Sequence, residues 1–192
     1  KHIIIGYDHR FGKGREASVT DLKNYASDYD FTVEEIQAQE IEKIAISSTK
    51  VRNSINNGDL KTTEKYLGRY FNLTGKVIKG DGLGKKIMYP TANIFIEEKY
   101  KIIPKDGVYL IKTFIKNKLY NGMMNIGHRP TIGANEKSLE VHLFNFNKDI
   151  YGEQISIDII SKIRDEKKFS SIEALKDQLV KDENHCLKLI NK

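Results

Sequence analysis

The hydrophobic period changes near Tyr70. Ahead of that point, His2-Ile3-Ile4-Ile5-Gly6 reads as a buried strand ending at a Gly turn. Ser18 can cap a helix with Asp21 three residues on, and Leu22, Tyr25 and Tyr29 then fall on one face. Phe31 to Ile36 has strand character. Ser47-Ser48-Thr49 precedes a short helix ended by Asn57-Gly58, and Asp59 can cap another stopped by Gly68. Alternating strand and helix is the grammar of an open α/β sheet.

Beyond Tyr70 the segments shorten and alternate. Leu73–Ile78, Ala92–Ile96, Val108–Ile115, Leu119–Ile126, Leu139–Phe146 and Gln154–Ile163 read as strands, with Lys116-Asn117-Lys118 as a hairpin turn. Six strands at this spacing predict an antiparallel barrel or sandwich. The end is helical: Ser170-Ser171-Ile172-Glu173 reads as a capping box, and Ile172, Leu175 and Leu179 form a stripe. The pattern divides the chain into an α/β part, residues 1–70, and a mainly β domain, residues 71–192.

Composition narrows the class. The 192 residues include ten Tyr and eight Phe, enough apolar surface for a core and too much for a disordered tail. No apolar run approaches the roughly 18 residues of a membrane span. A single cysteine, Cys186, rules out an internal disulfide and a multi-Cys zinc site, and makes a reducing cytoplasm the simplest setting. The chain opens at Lys1 directly on a strand, which suggests a piece of a longer polypeptide. Lys and Arg number 32 against 26 Asp and Glu, a net +6. The lysines are interspersed with acids, with no RRM, KH or zinc-knuckle signature, so an acidic small ligand such as a nucleotide suits this charge at least as well as nucleic acid.

Chemistry concentrates in three places. Gly75, Gly80, Gly82 and Gly84 fall within ten positions, followed by Lys85 and Lys86. Backbone N–H groups of such a loop can turn inward on phosphate, although the spacing is neither Walker A nor a Rossmann fingerprint. In Pro90-Thr91-Ala92-Asn93, Thr91 and Asn93 are two apart at a strand start and share a face, offering hard oxygen ligands of the kind Mg²⁺ accepts beside phosphate. Glu140 and His142 likewise share a face between the apolar Leu139 and Val141. Lining a barrel mouth, Glu140 would be a candidate general base; otherwise it is an exposed strand acid facing a lysine. The five histidines form no HExxH-like metal spacing. In the charged run from Arg164 to Lys168, Phe169 follows as a hydrophobic staple or a platform for a planar ligand.

In order, Gly-Lys-Val-Ile-Lys-Gly80, Pro90-Thr-Ala-Asn93, Gly107-Val-Tyr109, Asn125-Ile-Gly-His-Arg-Pro-Thr131, Glu140-Val-His142, Asp149-Ile-Tyr-Gly152 and Ile163-Arg-Asp-Glu-Lys-Lys-Phe169 resemble the riboflavin kinase domain, from about Gly75 to Asp182. Upstream, Gly6-Tyr-Asp-His-Arg-Phe-Gly-Lys-Gly14 and Ile46-Ser-Ser-Thr-Lys-Val-Arg52 resemble the later part of the FMN adenylyltransferase domain that bacteria fuse ahead of the kinase. The resemblance implies a six-stranded Greek-key barrel with a terminal helix. It also implies transfer of the ATP γ-phosphoryl to the terminal ribityl hydroxyl of riboflavin, giving FMN and ADP. By the same resemblance Thr91 and Asn93 hold Mg²⁺ and phosphates, and Gly80, Gly82, Gly84 and Lys85 cover the nucleotide. Glu140 orients or accepts the hydroxyl proton, and Arg164, Glu166 and Phe169 contact flavin.

Ser47, Ser48, Thr49 and Arg52 are what the resemblance assigns to a remnant of the adenylyltransferase site. The family's His-x-Gly-His element is not found, so FAD formation is expected to be absent, with self-association through the N-terminal half. Gly84-Lys85-Lys86-Ile87-Met88-Tyr89-Pro90 departs from the family's Gly-Arg-x-x-Gly-Phe-Pro. Lys85 lacks the fork of Arg, and Met88 in place of Gly removes freedom from the loop. Small-molecule partners, without nucleic acid or membrane, follow from this reading. Its rivals are a non-catalytic flavin-binding barrel and a basic RNA-binding barrel.

Overall fold

A computed structural model of the chain describes residues 1–37, 40–41, 44–80, 82, 84, 87–128 and 137–191, with only the backbone at 40, 41, 44 and 45. The chain forms two compact units, Lys1–Ser47 and Ser48–Lys192.

In the first unit, β1 (His2–Gly6) pairs in parallel with β2 (Thr32–Ile36), and α1 (Val19–Asp28) connects them. A short antiparallel pair, β3 (Glu40–Ile41) and β4 (Ile44–Ala45), follows. Helix α1 begins at the expected capping box. Ser18 Oγ accepts from the Asp21 N–H, while the Asp21 carboxylate accepts from the Ser18 hydroxyl and N–H at 2.6 and 2.7 Å. Those bonds hold the Asp21 carboxyl below its usual range. The expectation of a buried opening strand is overturned: Ile4 is 59% exposed. Tyr25 and Tyr29 are exposed as well, and Val19 is the one buried hydrophobic side chain among this unit's described residues. One helix on two strands has too little surface to cover both faces of the sheet.

The second unit opens with α2 (Ser48–Asn57) and α3 (Leu60–Leu67). Asp59 caps α3 by accepting from the Thr62 N–H, and Gly68 closes it in the left-handed conformation. Six strands follow: β5 (Phe71–Ile78), β6 (Ala92–Phe95), β7 (Gly107–Ile115), β8 (Lys118–His128), β9 (Lys137–Leu143) and β10 (Gln154–Arg164). They close into an antiparallel barrel in the order β10-β5-β6-β9-β8-β7. Lys116 and Asn117 both take positive φ, 49° and 63°, which matches the twist of a tight hairpin. Leu60 of α3 packs into the barrel core with Leu73, Ile111, Met124 and Ile157. That burial places α2 and α3 in the barrel's compact unit, 22 residues ahead of the change of hydrophobic period.

Helix α4 (Ile172–Ile190) completes the unit. Its N-cap is Ser171, whose Oγ accepts from the Ala174 N–H at 3.1 Å, so Ser170 and Glu173 do not form the capping box the sequence suggested. Phe169 therefore lies one position too early for a staple. Ile172 is 53% exposed and leaves the expected stripe, while Leu175, Leu179 and Cys186 pack against Val108, Leu110 and Met123. Two apolar layers result, one inside the barrel and one between its outer wall and α4. Burial in the second pushes the Cys186 thiol up to about 12.

Candidate functional site

Strand alternation sorts β9 into two faces. Leu139, Val141 and Leu143 join the barrel core, which sends Glu140 and His142 to the outer wall. The register then builds a row across the sheet. Asn93 of β6 pairs with Glu140 of β9, Glu140 with Asn125 of β8, Asn125 with Val108 of β7, and Val108 with Arg164 of β10. Residues in register point to the same side, so strands distant in sequence bring Asn125, Glu140 and Arg164, with the apolar Val108 among them, onto one face beneath α4.

That face runs along a cavity of about 230 Å³. Val108 and Met123 of the barrel and Leu175 and Leu179 of α4 give it apolar surfaces, and Asn125, Glu140, Arg164 and Glu166 give it polar groups. Phe169, Lys167, Gly84 and Thr91 complete the rim. It lies on the outer wall of the barrel, opposite the face that joins the barrel core. Glu166 reaches the site because Gly127 has no side chain: a Cβ there would collide with the Glu166 carboxylate. The Arg164 guanidinium carbon lies 5.7 Å from the centre of the Phe169 ring.

A second cavity, about 450 Å³, is lined by the apolar Val77, Leu143 and Ile150 and by Asn147, Lys148, Asp149 and Tyr151. Thr91 lines both cavities. Gly84 lies so close to the Thr91 hydroxyl and the Tyr89 carbonyl that any larger residue would push the loop away from Thr91. The same loop is tied down at Tyr89. Its hydroxyl donates to Glu183 Oε2 at 2.8 Å, its ring lies 5.0 Å from that of His142, and the His142 Nδ1–H donates to the Pro90 carbonyl at 2.8 Å. Burial, then the Glu183 bond, raise the Tyr89 hydroxyl to about 12. Met88 holds a left-handed φ of 66° at the position where Gly was expected.

The arrangement gathers Gly84, Thr91, Glu140, Arg164, Glu166 and Phe169 around one cavity. Asn93 is buried beside Glu140 in the register and lines neither cavity. Gly80 and Gly82 also line neither, and Lys85 lies outside the described residues, as do Arg129 to Thr131. Ser47 ends the first unit, while Ser48, Thr49 and Arg52 sit exposed on the first turns of α2, so the four residues straddle the division between units. No cluster of three His, Cys, Asp or Glu able to hold a metal occurs among the described residues. A cation here would have to share its oxygen ligands with phosphate, and the hydroxyl of Thr91 with the amide of Asn93 is a donor set that fits Mg²⁺ used in that way.

Two contributors escaped the sequence reading. Asn125 was visible only as part of a motif, and its place next to Glu140 depends on strand register. The loop Phe146 to Tyr151 lines the second cavity, a place that its Asp149-Ile-Tyr-Gly pattern does not reveal in the sequence.

Comparison with known proteins places the chain in a family. A family model described as Flavokinase, riboflavin kinase, matches residues 67–190, and one described as FAD synthetase matches residues 1–50. A bifunctional riboflavin kinase/FMN adenylyltransferase of Haemophilus influenzae is 38% identical over 95% of this chain and 59% of its own length. The protein of that name from Buchnera aphidicola subsp. Schizaphis graminum is 41% identical over the same shares. A solved structure titled as a macrolide-efflux protein from Streptococcus pneumoniae superposes with a TM-score of 0.83 at 38% identity, over 94% of this chain and 59% of that one. Among the described residues no helix is long and apolar enough to cross a membrane. The chain spans about three-fifths of the length of the curated relatives it matches. With a family model matched from the end of α3 to the last residue of α4, and the barrel it implies closed in the structure, this chain belongs to the riboflavin kinase family.

Proposed function

We propose that the second unit transfers the γ-phosphoryl of ATP to the terminal hydroxyl of riboflavin, yielding FMN and ADP. The observation that carries this reading is Thr91 on the shared wall of two cavities of different character. The cavity under α4 suits a planar ring with polar edges. It has apolar surfaces, Phe169 supplies a ring face, and Asn125, Arg164 and Glu166 supply hydrogen bonds. The larger cavity, with Lys148 and Tyr151, takes the nucleotide. Phosphoryl transfer then occurs beside Thr91, where both ligands end.

Glu140 accepts the proton of the attacking hydroxyl as the new P–O bond forms and the bond to ADP breaks. Gly84 brings its backbone close to Thr91, beside the transferring group. Thr91 and Asn93 are the residues that would hold Mg²⁺, which when bound neutralises charge on the phosphate oxygens. The FAD synthetase match to residues 1–50 supports a parent enzyme that also adenylylates FMN. Residues 51–66 fall in neither family match, so an adenylyltransferase part reaching to residue 70 rests on the change of hydrophobic period.

Incubation with riboflavin, ATP and Mg²⁺ should produce FMN on chromatography. Glu140→Gln should lower kcat about 10²–10⁴-fold while riboflavin still binds, the range for loss of a general base. Turnover of that variant within about twofold of the unaltered chain would remove Glu140 from the base role.

A further inference from the structure

Asp182 is 2% exposed, lies on α4 and lines neither cavity, yet its carboxylate is fully engaged. Arg164 Nε donates to both carboxylate oxygens, at 3.1 and 2.9 Å, and Arg164 Nη2 lies 2.9 Å from Oδ2. Gln178 Nε2 donates to Oδ1 at 2.9 Å. On the other side of the guanidinium, Nη1 donates to the Asp165 carbonyl at 3.0 Å. The guanidinium is thereby held by Asp182 on one side and by the Asp165 carbonyl on the other, while Arg164 still lines the cavity under α4.

A buried carboxylate is costly without a partner, and a fork-to-carboxylate pair fixes the plane of the guanidinium as well as its position. Arg164 is therefore a held group before any ligand enters. A free arginine would lose side-chain entropy on binding, and its unpaired charge would attract polyphosphate into the smaller cavity. The structure assigns Asp182 as the positioning residue for Arg164. It pre-sets the guanidinium for the ring of riboflavin and compensates its charge. This rests on the assignment of riboflavin to the cavity under α4.

The test is steady-state kinetics with both substrates varied on the full chain. Asp182→Asn keeps the shape and loses the charge. It should raise the KM and the Kd for riboflavin about tenfold, inside the range of couplings between contacting residues, with the KM for ATP within about twofold. In an Arg164→Ala background the same change should add no further loss of riboflavin affinity, because Asp182 acts through Arg164. If Asp182→Asn does not fold, Gln178→Ala decides the matter: it removes one of the two bonds that Oδ1 accepts and leaves those from Arg164, and should raise the riboflavin KM about two- to fivefold with ATP unaffected. Equal rises for both substrates, no rise, or a full effect without Arg164 would overturn the positioning role and leave the kinase reading intact. An unaltered chain that cannot phosphorylate riboflavin would overturn that reading and this inference with it.

Discussion

The two compact units solve the problem of burial differently. The barrel closes six strands on themselves, so every strand has two neighbours and Tyr109, Ile111, Met124, Ile157 and Ile159 are sealed inside. The first unit pairs two parallel strands beneath one helix and keeps Ile4, Tyr7 and Ile36 largely in water. Closure removes sheet edges, whereas a two-stranded sheet has an unpaired edge on each side. Stability and ligand pockets should therefore concentrate in the second unit.

The sharpest way to break that contrast is a matched pair of core deletions. Ile157→Ala should cost about 2–5 kcal/mol, the range for a fully buried aliphatic truncation, and should abolish FMN formation at temperatures where the unaltered chain works. Ile4→Ala should stay within about 0.5 kcal/mol, as for an exposed position. Urea titration followed by intrinsic fluorescence measures both. Equal losses would mean that β1 is as deeply packed as the barrel interior.

The same contrast governs how much the sequence disclosed. Strand alternation is a local property. All six barrel strands were legible to within about three residues, and the Lys116-Asn117 turn, the Ser18 box and the Asp59 cap were legible with them. The shared face of Glu140 and His142 was legible for the same reason. What the pattern cannot carry is register and long-range pairing. Asn125 beside Glu140, the Arg164–Asp182 pair across 18 positions and the Tyr89–Glu183 bond across 94 depend on which strands become neighbours and where α4 lies. The opening strand was misjudged because an apolar run reports hydrophobicity, while burial needs a partner surface. Placing α3 with the barrel turned on Leu60, whose destination a helical stripe does not reveal.

A smaller effect separates the units by pH. Burial raises Tyr109 and, up to about 12, both Tyr89 and Cys186, all in the second unit. Folded values above the unfolded ones mean that stability is complete below the ordinary thiol and phenol range. It is lost as pH climbs through that range toward the folded values near 12. Asp21, the shifted group among the first unit's described residues, is lowered, so its contribution is present above the usual carboxylate range and fades only in acid. The stability of the barrel transition should fall between about pH 9 and 12, by about 1–2 kcal/mol for Tyr89, and its melting temperature with it. Tyr89→Phe should flatten that fall, and an unchanged slope would show that Tyr89 titrates normally.

The smallest expected effect concerns backbone strain at the pocket rim. Met88 is 75% exposed and held at φ 66°, so its side chain contributes little packing to offset a conformation that costs an L-residue about 1–2 kcal/mol. Met88→Gly relieves that cost but adds about 0.5–1 kcal/mol of unfolded-chain entropy, leaving a net gain of up to about 1.5 kcal/mol. The barrel transition should rise by about 2–4 °C for each kcal/mol gained. Arg15 in the first unit is the matched control, exposed and at φ 60°. Arg15→Gly should relieve similar strain, and its effect should appear in the transition of the unit that carries it. Calorimetry resolves the two transitions if the units melt separately. A fall in melting temperature with Met88→Gly would mean that the Met88 side chain, and not the loop anchored at Tyr89, holds the pocket rim in place.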